Sequence, residues 1–177
     1  MVKNIIFDFD GVILESNEIK IQGFLKLFQK FGKENSIKIS NYFKDNAGLS
    51  RYEVINYFFL VILNEEMDKI KLTEYANQYS KIVKKSVLNA EFVIGVKKFL
   101  STNIQYKLFI VSSSDEKDLK YICMKLNIDK YFESIIGSPT KKADNIKFII
   151  DSFGLKKNET VYVGDSVNDY HATIKNN

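Results

Sequence analysis

The chain has 177 residues, with Lys+Arg 26 against Asp+Glu 22, 45% hydrophobic residues, Phe 14 and Tyr 10. That balance suits one globular domain, or one domain with a modest insertion, and excludes a disordered chain, because the aromatics alone supply a sizeable core. A net charge of +4 with no dense basic run gives no nucleic-acid footprint, and the single cysteine, Cys123, excludes an internal disulfide and fits a reducing compartment.

Residues 2–7 form a short apolar β run, ended by Asp8-Phe9-Asp10-Gly11. These acids also interrupt the apolar stretch that a signal peptide needs. Residues 16–90 contain no convincing strand. Their apolar positions fit helices, with Ile21, Phe24, Leu25, Phe28 and Phe31 as one stripe. Val54, Ile55, Phe58, Phe59 and Ile62 make a second, and Leu72, Tyr75, Ala76, Tyr79, Ile82 and Val83 a third. This stretch reads as a helical insertion whose aromatics form core. Its longest apolar segment, 54–63, contains Asn56 and is too short for a bilayer, so a cytoplasmic location with no membrane partner is expected.

Apolar strand runs recur at 106–111, 134–137 and 160–164. Between them lie helical repeats: Leu119, Ile122, Cys123 and Leu126 after Asp115-Glu116, then Ile146, Ile149, Ile150 and Phe153 before a capping Gly154. Short, continuously apolar strands are those buried on both faces of a parallel sheet. The expectation is an α/β fold, a doubly wound parallel sheet built from residues 1–15 and 91–177, with an all-helical unit at 16–90 inserted after the first strand.

Chemistry-bearing residues follow each strand. Asp8 and Asp10 stand at the end of the first; two carboxylates about 4 Å apart repel by roughly 4 kcal/mol at an effective dielectric near 20, so a cation is expected beside them. Ser112, Ser113 and Ser114 follow the second, where hydroxyls and free N–H groups make an anion cradle, although Ser114 also suits a helix cap. Lys141-Lys142 follows the third. Gly164-Asp165-Ser166-Val167-Asn168-Asp169 follows the fourth, with acids spaced to share one helix face, where the helix dipole also favours them. The C-terminal edge of an open parallel sheet is where such folds place ligands.

Taken in this order, Asp-x-Asp, a strand-end Ser, Lys and Gly-Asp-x-x-x-Asp resemble the haloacid-dehalogenase-like superfamily of phosphotransferases over essentially the whole chain. The resemblance implies a Rossmann-like core with a helical cap, and an Mg²⁺-dependent phosphatase acting on a small phosphomonoester. Asp8 would be the nucleophile that becomes an aspartyl phosphate, Asp10 the acid and base, and Ser112 with Lys141 the groups that stabilise phosphoryl charge; Lys142 is the alternative lysine. Magnesium would be held by Asp8, the backbone carbonyl of Asp10 and Asp165, with Asp169 orienting that shell. Gly48-Leu49-Ser50-Arg51 resembles a cap segment found in members that include sugar-phosphate mutases. It implies substrate binding by Ser50 and Arg51, unless Ser50-Arg51 merely begins a helix over 52–63 with Ser50 as its cap. Ser113, beside Ser112, is expected to bind substrate as well.

Asp10 argues against dehalogenation and against phosphonate cleavage, because those branches lack an acid there. The mutase branch carries a histidine ten residues beyond its second Asp, and the corresponding residue here is Lys20. Hydrolysis is therefore the expected reaction, with a phosphomutase, or a non-catalytic phosphoacceptor module, as the alternatives. Family members usually continue beyond the fourth motif, so a short or truncated chain with an exposed edge strand, marginal in stability or covered by a partner, is expected.

Overall fold

The computed structural model describes residues 1–103 and 105–176. Its strands β1 (Asn4–Phe7), β2 (Lys107–Asp115), β3 (Ser134–Ser138) and β4 (Thr160–Val163) form one parallel sheet in the order β3-β2-β1-β4. The chain builds outward from β1 through β2 to β3 and then crosses to the other side of β1 for β4. Strand order therefore reverses between β1 and β4, which opens a crevice at their C-terminal ends.

Alternation along the strands feeds two cores. Ile5, Phe7, Leu108 and Ile110 pack on one face, where Phe7 meets Phe99 and Phe132 edge-on at 5.9 and 6.4 Å. Ile6, Phe109 and Val111 face the other way, onto Ile146 and Ile149 of α7 (Lys142–Ser152) and Ala172 of α8 (Val167–Ile174). Burial on both faces is why β1 and the first part of β2 read as continuous apolar runs, whereas β4 ends the sheet with Val161 and Val163 exposed.

Before β2 the chain forms α1 (Asn17–Phe28), α2 (Lys33–Asp45), α3 (Arg51–Tyr57), α4 (Lys69–Leu88) and α5 (Val96–Thr102). The expected stripes meet in an aromatic stack: Phe28 lies 3.8 Å from Phe58 between ring centroids, and Phe24 lies 4.2 Å from Tyr79. The helix α2 buries Ser36, Ile39 and Ser40 and packs Tyr42 and Phe43 partly against the core, with Phe43 4.8 Å from Phe24 between ring centroids. Ser50 starts α3 through a reciprocal capping box with Glu53. The helix does not run on regularly to residue 63; it widens into a π-helical turn at Phe58–Ile62, in which Phe58 and Phe59 are both fully buried.

The two crossings between sheet and helices run side by side. Glu15 N–H donates to the Glu91 carbonyl at 2.9 Å, and Val93 N–H to the Ile13 carbonyl at 3.1 Å. Two expectations for β2 are corrected. The strand extends to Asp115 with a register shift after Val111, so the three serines lie in extended backbone. Accordingly Asp115, not Ser114, caps α6 (Glu116–Lys125), accepting from the Asp118 N–H.

Candidate active site

Asp8 leaves β1 with its N–H still in the sheet ladder, donating to the Val163 carbonyl at 2.8 Å. Its carboxylate is buried, accepting from the Phe9 N–H at 2.7 Å and from Lys142 Nζ at 2.9 Å. The chain then coils tightly, with the N–H groups of Ile13 and Leu14 both directed to the Phe9 carbonyl. Gly11 holds a φ of +74° there, and a Cβ on it would fall 2.0 Å from Asp165 Oδ2 and 2.4 Å from Asn17 Nδ2. Glycine is thus required both by conformation and by the close approach of the fourth loop.

That approach brings Asp8, Asp165 and Asp169 together, with carboxylate oxygens all within 4.8 Å of one another. Asp165 is exposed and accepts from Asn17 Nδ2 at 2.7 Å. Asp169 is buried and fully occupied. One oxygen closes a capping box at the start of α8, accepting from the N–H of Ser166 at 3.0 Å and its hydroxyl at 2.6 Å. The other accepts from Lys142 Nζ at 2.5 Å and lies 2.9 Å from the Tyr162 hydroxyl, whose single hydrogen serves either Asp169 or the Val111 carbonyl.

The lysine in the site is Lys142, which corrects the assignment to Lys141. Lys141 sits at the N-cap of α7 and is exposed, whereas Lys142 opens the helix and points inward at 7% exposure. Burial alone would lower its pKa, but the carboxylates of Asp8 and Asp169 outweigh burial and raise it. Asp8 itself is pushed up to about 6 by burial, against the pull of Lys142 and with the push of Asp169 and Asp10. Asp169 is held below the ordinary carboxylate range, with Lys142 and its hydrogen-bond donors overcoming burial.

The Asp10 carboxylate turns away from this cluster. It accepts from the hydroxyls of Ser16 at 2.5 Å and Ser114 at 2.6 Å, and from the ammonium of Lys20, which also meets Ser114. Burial opposes ionisation of Asp10, but Lys20 and the two hydroxyls prevail and hold its pKa low. Ser112 is buried, its Oγ accepting from the Ser114 N–H at 3.2 Å, and Ser113 is half-buried; both line a cavity of about 40 Å³ over Asp8, Asp10 and Asp165.

The roof of that cavity comes from the segment before α3. Gly48 packs against Ser166, where a Cβ would come within 2.6 Å of Oγ, and Asn168 Nδ2 donates to the Ala47 carbonyl at 2.6 Å. Among the residues expected to bind substrate, Arg51 lines the cavity, whereas the Ser50 hydroxyl is committed to Glu53, donating to its carboxylate at 2.7 Å. The expected core aromatics are core, but Phe24, Phe43 and Tyr79 also face the cavity. Sequence reasoning missed Asn17 and Tyr162, which carry no motif signal, and gave Lys20 no role beyond a departure from the mutase pattern.

The carboxylates of Asp8 and Asp165, with Asp169 oxygens close behind them, are hard oxygen donors of the kind that fit a divalent cation such as Mg²⁺. Among the described residues no helix is long and apolar enough to cross a membrane.

No curated protein matches the sequence. Solved structures share the fold. A predicted phosphatase from Clostridium acetobutylicum superposes with TM-score 0.78 at 22% identity, covering 100% of this chain and 82% of that one. A putative haloacid dehalogenase-like hydrolase from Bacteroides fragilis gives 0.80 at 19% identity, with 99% and 84% covered. CbbY from Rhodobacter sphaeroides, solved in complex with phosphate, gives 0.75 at 14%, with 99% and 83% covered. The sequence model of the haloacid dehalogenase-like hydrolases matches residues 5–177, and so the chain, acids, lysine and helical insertion together, belongs to that family of hydrolases.

Proposed function

We propose that the protein is an Mg²⁺-dependent phosphatase that hydrolyses a small phosphomonoester through an aspartyl phosphate on Asp8. The observation that carries this reading is the gathering of Asp8, Asp165 and Asp169, with Lys142 bridging Asp8 and Asp169, beneath a narrow, roofed cavity. Asp8 and Asp165, with the Asp10 backbone carbonyl, would hold the cation, which neutralises phosphoryl charge when bound. Asp169 orients Lys142.

An Asp8 oxygen attacks phosphorus, the bond to the leaving oxygen breaks, and the phosphoryl group is left on Asp8. The proton for the leaving alkoxide comes from the hydrogen-bonded Lys20–Asp10 pair. The first transfer takes that proton from Lys20 and leaves Asp10 a carboxylate. In the second step Asp10 takes a proton from the water that attacks the phosphoaspartate and passes it to Lys20, which restores the pair. Lys142 and the backbone and hydroxyls of Ser112 and Ser113 stabilise the flattened phosphoryl oxygens. Residues 16–90 act as the cap, hinged at the paired crossings near 13–15 and 91–93, and exclude water when closed.

The test is hydrolysis of p-nitrophenyl phosphate with and without Mg²⁺, for the native chain and Asp8→Asn. The expected result is Mg²⁺-dependent turnover abolished by the substitution; turnover surviving both changes overturns the mechanism.

A further inference from the structure

We propose that the pocket selects phosphomonoesters whose leaving group is small and uncharged, and that the buried Arg51–Asp118 pair is what excludes a second anionic group. The inference rests on the phosphatase reading and deepens it by naming the substrate class.

The cavity carries two cations besides its acids, Lys20 and Arg51, and the protein has already spoken for both. Lys20 meets Asp10 and Ser114. Arg51 reaches out of the cavity wall between α4 and α6, where Nη1 donates to Asp118 Oδ2 of α6 at 2.8 Å and to the Ala76 carbonyl at 3.4 Å and the Ser80 hydroxyl of α4. Its guanidinium lies over the Tyr79 ring at 5.2 Å. Asp118 in turn accepts from Ser80 and binds Lys84 Nζ at 2.5 Å. Arg51 is 6% exposed and Asp118 7%, so this is a desolvated pair and not a surface contact.

A distal phosphate or carboxylate reaching Arg51 would have to displace Asp118, leaving a buried carboxylate short of its partner, or else share the guanidinium beside a like charge. Separating the two halves of a buried pair is strongly unfavourable, and Lys84 and Ser80 hold Asp118 in place against it. A neutral substituent forfeits nothing. The remaining wall, formed by Phe24, Phe43, Leu49 and Tyr79, offers its carbon skeleton apolar contact, and the narrowness of the cavity favours a short one. The same pair weighs against the phosphomutase alternative, because passing a phosphoryl group to an already phosphorylated sugar requires holding two phosphates at once. Arg51 thus sets specificity by being neutralised, and Asp118 is the residue that neutralises it.

The experiment compares propane-1,3-diol monophosphate with its 1,3-bisphosphate as substrates, and propylphosphonate with propane-1,3-bisphosphonate as competitive inhibitors, all with Mg²⁺. The wild type is expected to prefer the monophosphate and to bind the bisphosphonate no more tightly than the monophosphonate. Asp118→Asn keeps the shape but frees the Arg51 charge. It is expected to raise the bisphosphate-to-monophosphate ratio of kcat/KM by about tenfold or more, the order that one hydrogen bond to a charged group contributes. A wild type that prefers the bisphosphate, or a folded Asp118→Asn protein with an unchanged ratio, overturns the inference alone. Should Asp118→Asn fail to fold, the inhibitors decide on the wild type, and a bisphosphonate bound about tenfold more tightly overturns the proposal. Absence of turnover on every ester overturns the phosphatase reading, and the inference falls with it.

Discussion

Replacing Lys142 by Met keeps the length of the side chain and removes only its charge and hydrogen bonds. In the native site Nζ lies 2.9 Å from Asp8 and 2.5 Å from Asp169, and the three side chains are 5%, 6% and 4% exposed. Without the ammonium, two buried carboxylates whose oxygens lie within 4.8 Å of each other repel by about 3.5 kcal/mol at an effective dielectric near 20. Removing one partner of a buried pair costs about 3–5 kcal/mol by comparison with other proteins, which agrees. Lys142→Met is therefore expected to lose about 3–4 kcal/mol in chelator at neutral pH, roughly a 10 °C fall in Tm for a chain of this size. Urea denaturation at fixed pH measures the loss directly. A divalent cation supplies the missing positive charge, so Mg²⁺ should stabilise the variant more than it stabilises the native chain. A variant as stable as the native protein in chelator, or one whose deficit Mg²⁺ leaves untouched, refutes the electrostatic account of the site.

Gly11→Ala forces a positive φ that costs about 1–2 kcal/mol and pushes Asp165 aside; turnover on p-nitrophenyl phosphate is expected to fall about a hundredfold or more, as a displacement near 1 Å does elsewhere. Ser50→Ala removes the reciprocal cap of α3 and should cost about 1 kcal/mol, read as a shift in the denaturation midpoint with an unchanged slope. Burial would raise the pKa of Asp118, but Lys84, Ser80 and Arg51 hold it below the ordinary range. Its contribution to stability is therefore complete above the unfolded carboxylate value of about 3.9 and is lost as pH falls through the lower folded value. Acid titration of Asp118→Asn should show a shallower decline over that window, and a curve parallel to the native one counts against the pairing.

How much was legible follows from what each signal depends on. Strands buried on both faces must be apolar throughout, so β1 and the first part of β2 stood out, and the β-branched runs of β3 and β4 did so as well although Val161 and Val163 are exposed at the sheet edge. The acids, serines and lysines at their ends marked the candidate site. The helix α2 did not, because two of its three buried residues, Ser36 and Ser40, are polar, and Ile39, Tyr42 and Phe43 make too short an apolar row to stand out alone. The serines after Val111 resembled a loop and a helix cap, and only pairing with β3 drew them into extended backbone.

The linear order of residues thus determined the fold class and the family, and picked out the candidate site, since these rest on periodicity and on motif spacing. Tertiary structure decided which of two adjacent lysines enters the site, because neighbours at a helix start point about 100° apart and only the packing of α7 against the sheet selects Lys142 over Lys141. It also decided that Lys20 meets Asp10 and that Arg51 meets Asp118. Those pairs join residues 10 and 67 positions apart, and ion pairs form wherever folding brings charges within reach, at separations that no local pattern records.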